Sequence, residues 1–418
     1  GYWMKVRYVN LDERAKDEVA TLSQPDYSRN VFDVVDARFN IEGQINKIVQ
    51  FYGEVVTSGA YSSDVYKAVG ISGRDTNAKL SEGGINLVFL PELQLRLGKI
   101  RIPFTRDQQE ARYSYIIQTD WIYDPQGLFD YWRNGLLRLF DGGANLHGEL
   151  LGGVVRYDVG IFNQASDDEP LNSVAWAARL EFSPPILGFK PETKTTGRGW
   201  LHDTYLGKRG DVLSIGLSYF TQDVAIADLP HGRVLGGALI PGVSDEALGN
   251  LTLPKVPTDL LKGLKELDVD AYNIDVFLEK KLGPAVINLE GAYVYFDDSH
   301  LGYDSLGKLT KKEDSYYWYI QGQILYDQVV GIGKPALYAK YEYIEADNLY
   351  YDYDKGKRDD YEMYRVAVGL NYYIQGNAAR LTAGVDFVSY DDGAEDYLKE
   401  NGLEDNITDY YVQAQIMF

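Results

Sequence analysis

The chain contains no cysteine, and only 3 methionines and 4 histidines among its 418 residues. Thiol nucleophiles, disulfide staples and thiolate metal sites are therefore excluded. His147, His202, His231 and His300 are scattered, no HExxH spacing occurs, and no serine sits in a GxSxG elbow, so no catalytic residue is expected. Gly331–Pro335 is only superficially like a phosphate loop, with Gln328 at the first required glycine and Pro335 at the Ser/Thr position. No cofactor or metal motif is found. Long apolar runs are also missing. No stretch reaches the roughly eighteen uninterrupted apolar residues of a membrane helix, which excludes helical spans and leaves barrel strands open. Positive charge is scarce: 41 Lys and Arg face 62 Asp and Glu, and the net charge of −21 argues against a nucleic-acid partner. No leader peptide is visible, and Gly1 leads straight into a strand pattern, so the chain reads as mature or trimmed.

Aromatic residues, by contrast, are abundant, with 35 Tyr, 15 Phe and 6 Trp. Such rings favour membrane interfaces, where the ring meets lipid and its polar tip meets headgroups. The final segment, Thr408–Phe418, alternates strictly. Tyr410, Val412, Ala414, Ile416 and Phe418 fall on one face; Tyr411, Gln413, Gln415 and Met417 fall on the other. Segments of this kind recur from Tyr2–Asn10 onward, about sixteen in all, most near the 9–11 residues of a tilted membrane strand. Their connections alternate in length. Long polar ones include Pro103–Asp141, Gln222–Asp268, Asp297–Ser315, Glu345–Tyr361 and Asp391–Thr408. Short ones include Glu42–Lys47, Leu151–Gly153 and Lys281–Pro284, and only Ser183–Gly210 breaks the rule. A single all-β domain over 1–418 is expected: a transmembrane, antiparallel up-and-down barrel with long extracellular loops and short periplasmic turns in a bacterial outer membrane. One short helix is expected, at Thr258–Leu267.

Period two then sorts the wall. With Trp176, Ala178 and Leu180 facing lipid, Arg179 and Glu181 face inward. The same bookkeeping turns inward Lys5, Arg7, Asp36, Arg38, Arg96, His147, Glu149, Arg156, Asp158, Lys340, Glu342, Arg365, Asn371, Arg380 and Asp386, because a charge on the lipid face costs about 2–4 kcal/mol near the midplane. So wide a barrel holds water, and charged groups in its bore select ions; opposite charges that pair across neighbouring strands only stiffen the wall. The loop 103–141 carries Arg106, Arg112, Arg133 and Arg138, several carboxylates, and Trp121, Tyr123, Phe129, Tyr131 and Trp132. Folding into the lumen as a constriction buries those rings; packing over the rim or a neighbouring subunit is the alternative. Aspartates cluster at Asp297–Asp298, Asp352 with Asp354, Asp359–Asp360 and Asp391–Asp392. They read as a solvated outer surface, or as a Ca²⁺-bridged one.

Leu95–Phe104 (LRLGKIRIPF) followed by Thr105, Arg106 and Asp107, Val159–Asn163 with Ala177–Leu180, and Asp36–Phe39 leading to Gly43 together resemble the phosphate-selective porins (the O and P porin family). The resemblance covers nearly the whole chain. It implies a sixteen-stranded barrel, a homotrimer, and Arg38, Lys99, Arg101 and Arg179 as pore or constriction groups. Strict alternation aims Lys99 and Arg101 at lipid unless the register shifts near Gly98. Asp36 stands where the family often has a basic residue, so the family's solute is not carried over. The expectation is a passive channel for small hydrophilic solutes and ions, anion-preferring through its lumen arginines. The alternative is a structural barrel, an anchor or adhesion platform with acidic, Ca²⁺-binding loops.

Overall fold

The computed structural model describes residues 1–11, 29–57, 78–111, 113–117, 139–163, 174–192, 201–225, 233–235, 238–240, 266–303, 309–352, 357–400 and 404–418. Sixteen strands close into one antiparallel barrel. They are β1 (Tyr2–Leu11), β2 (Arg29–Gln44), β3 (Val49–Thr57), β4 (Lys79–Leu90), β5 (Leu93–Arg101), β6 (Phe140–Leu150), β7 (Val155–Phe162) and β8 (Ala175–Phe182). After β9 (Val212–Ala225) a separate hairpin, β10 (Arg233–Leu235) with β11 (Ala238–Ile240), precedes β12 (Glu266–Leu282) and β13 (Ala285–Tyr303). The wall continues through β14 (Leu309–Tyr326), β15 (Lys334–Asp352), β16 (Lys357–Tyr373), β17 (Ala379–Asp391) and β18 (Asn406–Met417). Each barrel strand pairs with its neighbours in order, and β18 returns to β1, where Tyr2 and Phe418 exchange backbone hydrogen bonds. No edge is left open, which is what a bilayer requires of a sheet.

The alternation in sequence is the alternation in space. On β18, Asp409, Tyr411, Gln413 and Gln415 are buried inside, while Tyr410, Val412, Ile416 and the adjoining Phe418 lie bare on the outer surface. The outer face of β9–β16 carries a tyrosine collar. Tyr293 stacks near Tyr316, while Tyr219 lies tilted against Tyr272 and Tyr343 against Tyr364 at 5.1 Å. Several hydroxyls reach carboxylates, as Tyr295 does Asp314 and Tyr364 does Glu362. On β16, Tyr364 and Tyr372 bracket Val366, Val368 and Leu370. At about 3.4 Å per residue and a tilt of about 40°, that span covers roughly 20 Å, close to the ~25 Å apolar band of an outer-membrane barrel.

Three expectations are corrected. The connections read at Asp297–Ser315 and Glu345–Tyr361 are mostly strand, because β13–β16 run past the collar to 303, 309, 352 and 357. Bulges hid this: the register slips between Phe296 and His300 and between Ala346 and Tyr350, with Asp298 and Asn348 at positive φ. Asp and Asn tolerate that conformation best among side-chain-bearing residues. Beyond the first bulge Ser299, His300 and Leu301 are all buried, and beyond the second the buried set passes from even positions to Leu349. The helix expected at Thr258–Leu267 ends instead in strand, since Glu266 and Leu267 open β12; 258–265 lie outside the described residues. A helix does form at Asp392–Glu400, within what the pattern left as a connection.

Candidate functional site

The wall arginines point inward and meet carboxylates. Arg38 Nη1 lies 2.5 Å from Glu54 Oε1 and also donates to Ser81. Arg96 Nη2 lies 2.5 Å from Asp158. Arg179 forks onto both oxygens of Asp275, at 2.6 and 2.8 Å. Gly216 on β9 makes room for that fork, since a Cβ there would collide with Arg179 Nη2 and Asp275 Oδ1. Arg365 sits between Glu342 at 3.2 Å and Asp386 at 2.6 Å. Arg380 donates to the carbonyl of Tyr115 at 2.6 Å. Lys99 and Arg101 part company. Lys99 is exposed, and its Nζ donates to the Leu80 carbonyl on the outer side. Arg101 is buried, bonded to Glu82 and to the carbonyls of Gln108 and Glu110. Between them and Arg96, Gly98 adopts φ +136°, a conformation that side-chain-bearing residues rarely take. Arg112, Arg133 and Arg138 lie outside the described residues.

After β5 the chain turns inward. The carbonyl of Phe104 accepts from Arg179, Ser218 and Asn273, on β8, β9 and β12. Thr105 then caps a one-turn helix, Arg106–Gln109, in a reciprocal capping box with Gln108. From there the segment crosses to the far wall. The carbonyls of Tyr113, Tyr115 and Ile116 accept from Gln415, Arg380 and Asn371, on β18, β17 and β16. Ile116 and Ile117 pack with Tyr338 and Ala367. So the described part of 103–141 spans the bore.

The irregular connection after β8 enters from the opposite mouth. Glu192, His202, Thr204 and Tyr205 are all buried. The backbone N–H groups of Tyr205, Leu206 and Gly207 converge on the Glu279 carboxylate, and Leu206 packs against Val286, Leu325, Ala336 and Tyr373. Asn377 ties Asp203 and Thr204 to the turn after β16. The two segments meet as a short parallel bridge: Ala111 N–H donates to the His202 carbonyl at 3.0 Å, and His202 N–H to that of Gln109 at 2.9 Å. Thr204 Oγ1 adds a bond to Glu110 at 2.9 Å. Nothing in the sequence marked His202 or Glu192 as functional. The one available signal was that Ser183–Gly210 is long where its counterparts are short.

At the junction Arg106 touches Glu192 at 2.5 Å and Glu290 at 2.9 Å, and His202 places Nε2 3.0 Å from Glu181 and Nδ1 3.1 Å from Glu192. Burial opposes charge on Glu192, yet Arg106 and His202 hold it well below the usual carboxylate range. Burial likewise opposes charge on His202, but Glu181 and Glu192 raise its pKa overall. Burial pushes Asp203 up to about 6. The imidazole thus sits between the two carboxylates. A second acidic group, Asp297, Asp298 and Asp314, lies near the outer rim with Lys312 Nζ 3.1 Å from Asp298. Ser299 and His300 are bonded to each other, but both are buried, and His300 Nε2 meets the Asp347 carbonyl. That leaves the imidazole engaged at both nitrogens.

No protein-family model matches the chain, and no curated protein sequence does. Solved structures do. OprB of Pseudomonas putida aligns with a TM-score of 0.58 at 11% identity, over 100% of this chain and 94% of that one. An anion-selective porin from Comamonas acidovorans gives 0.55 at 10%, over 100% and 99%. The trimer form of Vibrio cholerae OmpT, an outer-membrane protein, gives 0.50 at 13%, over 100% and 98%. At such identities the likeness is one of fold. The chain has the fold of bacterial outer-membrane barrels.

Proposed function

We propose that this barrel is a porin-like passive channel for small hydrophilic solutes across the outer membrane. The observation that carries the reading is a closed sixteen-stranded wall, apolar outside and lined inside by charged side chains. A wall of that circumference is too wide for its own side chains to fill. The likeness to OprB and to the Comamonas porin supports it. Solutes then move down their gradients, biased by the groups at the narrowest point, and no chemical step is needed. Residues 103–141 act as the constriction, with the segment after β8 as its counterpart from the other mouth.

Of the resemblance to the phosphate-selective porins, this reading keeps the sixteen-stranded barrel. Anion preference was expected from the arginines alone. Arg38, Arg96, Arg101, Arg106, Arg179 and Arg365 all have carboxylate partners. At the junction Glu110, Glu181, Glu192, Asp275 and Glu290 still outnumber Arg106, Arg156, Arg179 and His202. We therefore expect weak preference for cations. A homotrimer is part of the proposal, with contact through β2–β6. The outer face there carries Phe39, Ile41, Phe51, Ile85 and Leu146 in place of the tyrosine collar.

A barrel closed at rest is the second reading, favoured by the burial of inward side chains beneath the two crossing segments. Planar-bilayer recording separates the two. A channel gives ohmic steps, grouped in threes for a trimer, with a reversal potential of cation sign in a salt gradient. Silence under all voltages sinks the channel, and a clear anion sign sinks the selectivity.

A further inference from the structure

We propose that the lumen contains a guanidinium-binding site, filled in this structure by the chain's own Arg106, and that solutes bearing a guanidinium or amidinium group compete for it. The inference rests on the channel reading for its physiological meaning, though not for its test. Arg106 belongs to a crossing segment rather than to the wall, so its side chain reaches the site as a tethered ligand. The site itself is assembled from other elements. Glu192 forks onto Nη2 and Nε at 2.5 and 3.4 Å. Glu290 on β13 takes Nη1 at 2.9 Å, and the Asp203 carbonyl takes Nη2 at 2.9 Å. Phe277 on β12 lies beneath, with the guanidinium carbon 3.6 Å from the ring centroid.

In-plane acceptors above an aromatic floor recognise a planar, forked cation; a round ammonium satisfies neither feature as well. The cage also has acceptor capacity that Arg106 does not use. Glu110 is wholly buried, and its Oε2 accepts no hydrogen bond although it stands 3.9 Å from Arg106 Nη1. Arg106 further links the two segments that enter from opposite mouths, since Glu192 comes from one and Glu110 from the other. A free guanidinium that takes its place removes that side-chain tie and leaves the backbone bridge and the Thr204–Glu110 bond between them.

Arg106→Ala vacates the cage and provides the test, read by calorimetry on the purified protein in detergent and by planar-bilayer current. Guanidinium chloride should bind the variant with half-saturation between about 40 μM and a few millimolar, the tighter limit being the ceiling for a ligand of so few atoms. Urea has the same shape without charge, and tetramethylammonium has charge without donors; neither should bind. The variant should pass more current than the parent, and guanidinium should reduce it again. Arg106→Lys, which keeps the charge but not the fork, should bind guanidinium more weakly than the alanine variant and more tightly than the parent; it also serves if the alanine variant fails to fold. Binding without current leaves the site standing and removes the channel. Current without guanidinium binding, or tetramethylammonium acting equally, overturns the site.

Discussion

Replacing Val368 by arginine tests the premise on which the membrane reading stands. Val368 lies midway between Tyr364 and Tyr372 on the outer face of β16, 37% exposed, with Ala339 and Val385 as its cross-strand neighbours. If those tyrosines mark the two interfaces, position 368 sits at the bilayer midplane. An arginine there should cost about 2–4 kcal/mol, or roughly 30- to 900-fold in the ratio of folded to unfolded protein. The same change at Ile332, 72% exposed on the turn between β14 and β15, should cost at most about 1 kcal/mol, because the penalty fades near the interface. Urea unfolding of both variants from phospholipid vesicles supplies the comparison. Were the barrel's outside bathed in water, both substitutions would fall within about 0.5 kcal/mol of the parent. Equal, small costs at 368 and 332 refute the reasoning.

Gly216→Ala should destabilise the barrel by about 1–3 kcal/mol, as overpacking does, because its methyl group enters the Arg179–Asp275 fork; an unchanged unfolding midpoint would mean the fork is not held there. His202 gives a pH signature. Its folded pKa is raised, so its contribution to stability is fully present below about 6.5, the unfolded value, and is lost as pH rises through the folded value. His202→Gln should flatten that alkaline fall in a series of urea midpoints; an identical slope in parent and variant would clear His202 of the role.

Much of the wall was legible in the sequence. The inward positions of Arg38, Arg96, Arg179, Arg365 and Arg380 followed from alternation, since hydrocarbon outside leaves a strand only one face for charge. Bulges defeat that logic. The bulges at Asp298 and Asn348 each slip the register and break the alternation, so the upper parts of β13–β16 read as polar loop. Lys99 and Arg101 share a parity yet end on opposite sides: Lys99 keeps the alternation and faces out, while the chain dives inward after Arg101. The junction was invisible for a different reason. Glu192, His202 and Arg106 come from segments of no regular period, and their proximity is a product of tertiary folding alone.

The pairing of Tyr2 with Phe418 carries a cost in assembly. The cylinder is sealed by the two strands farthest apart along the chain, so the most remote contact available is also the last one geometry allows. Until that seam zips, every intermediate exposes two raw sheet margins, each a template for mispairing. Closure at such sequence separation is intrinsically slow. One unzipped seam is enough to leave the whole cylinder with the unpaired margins that hydrocarbon does not tolerate.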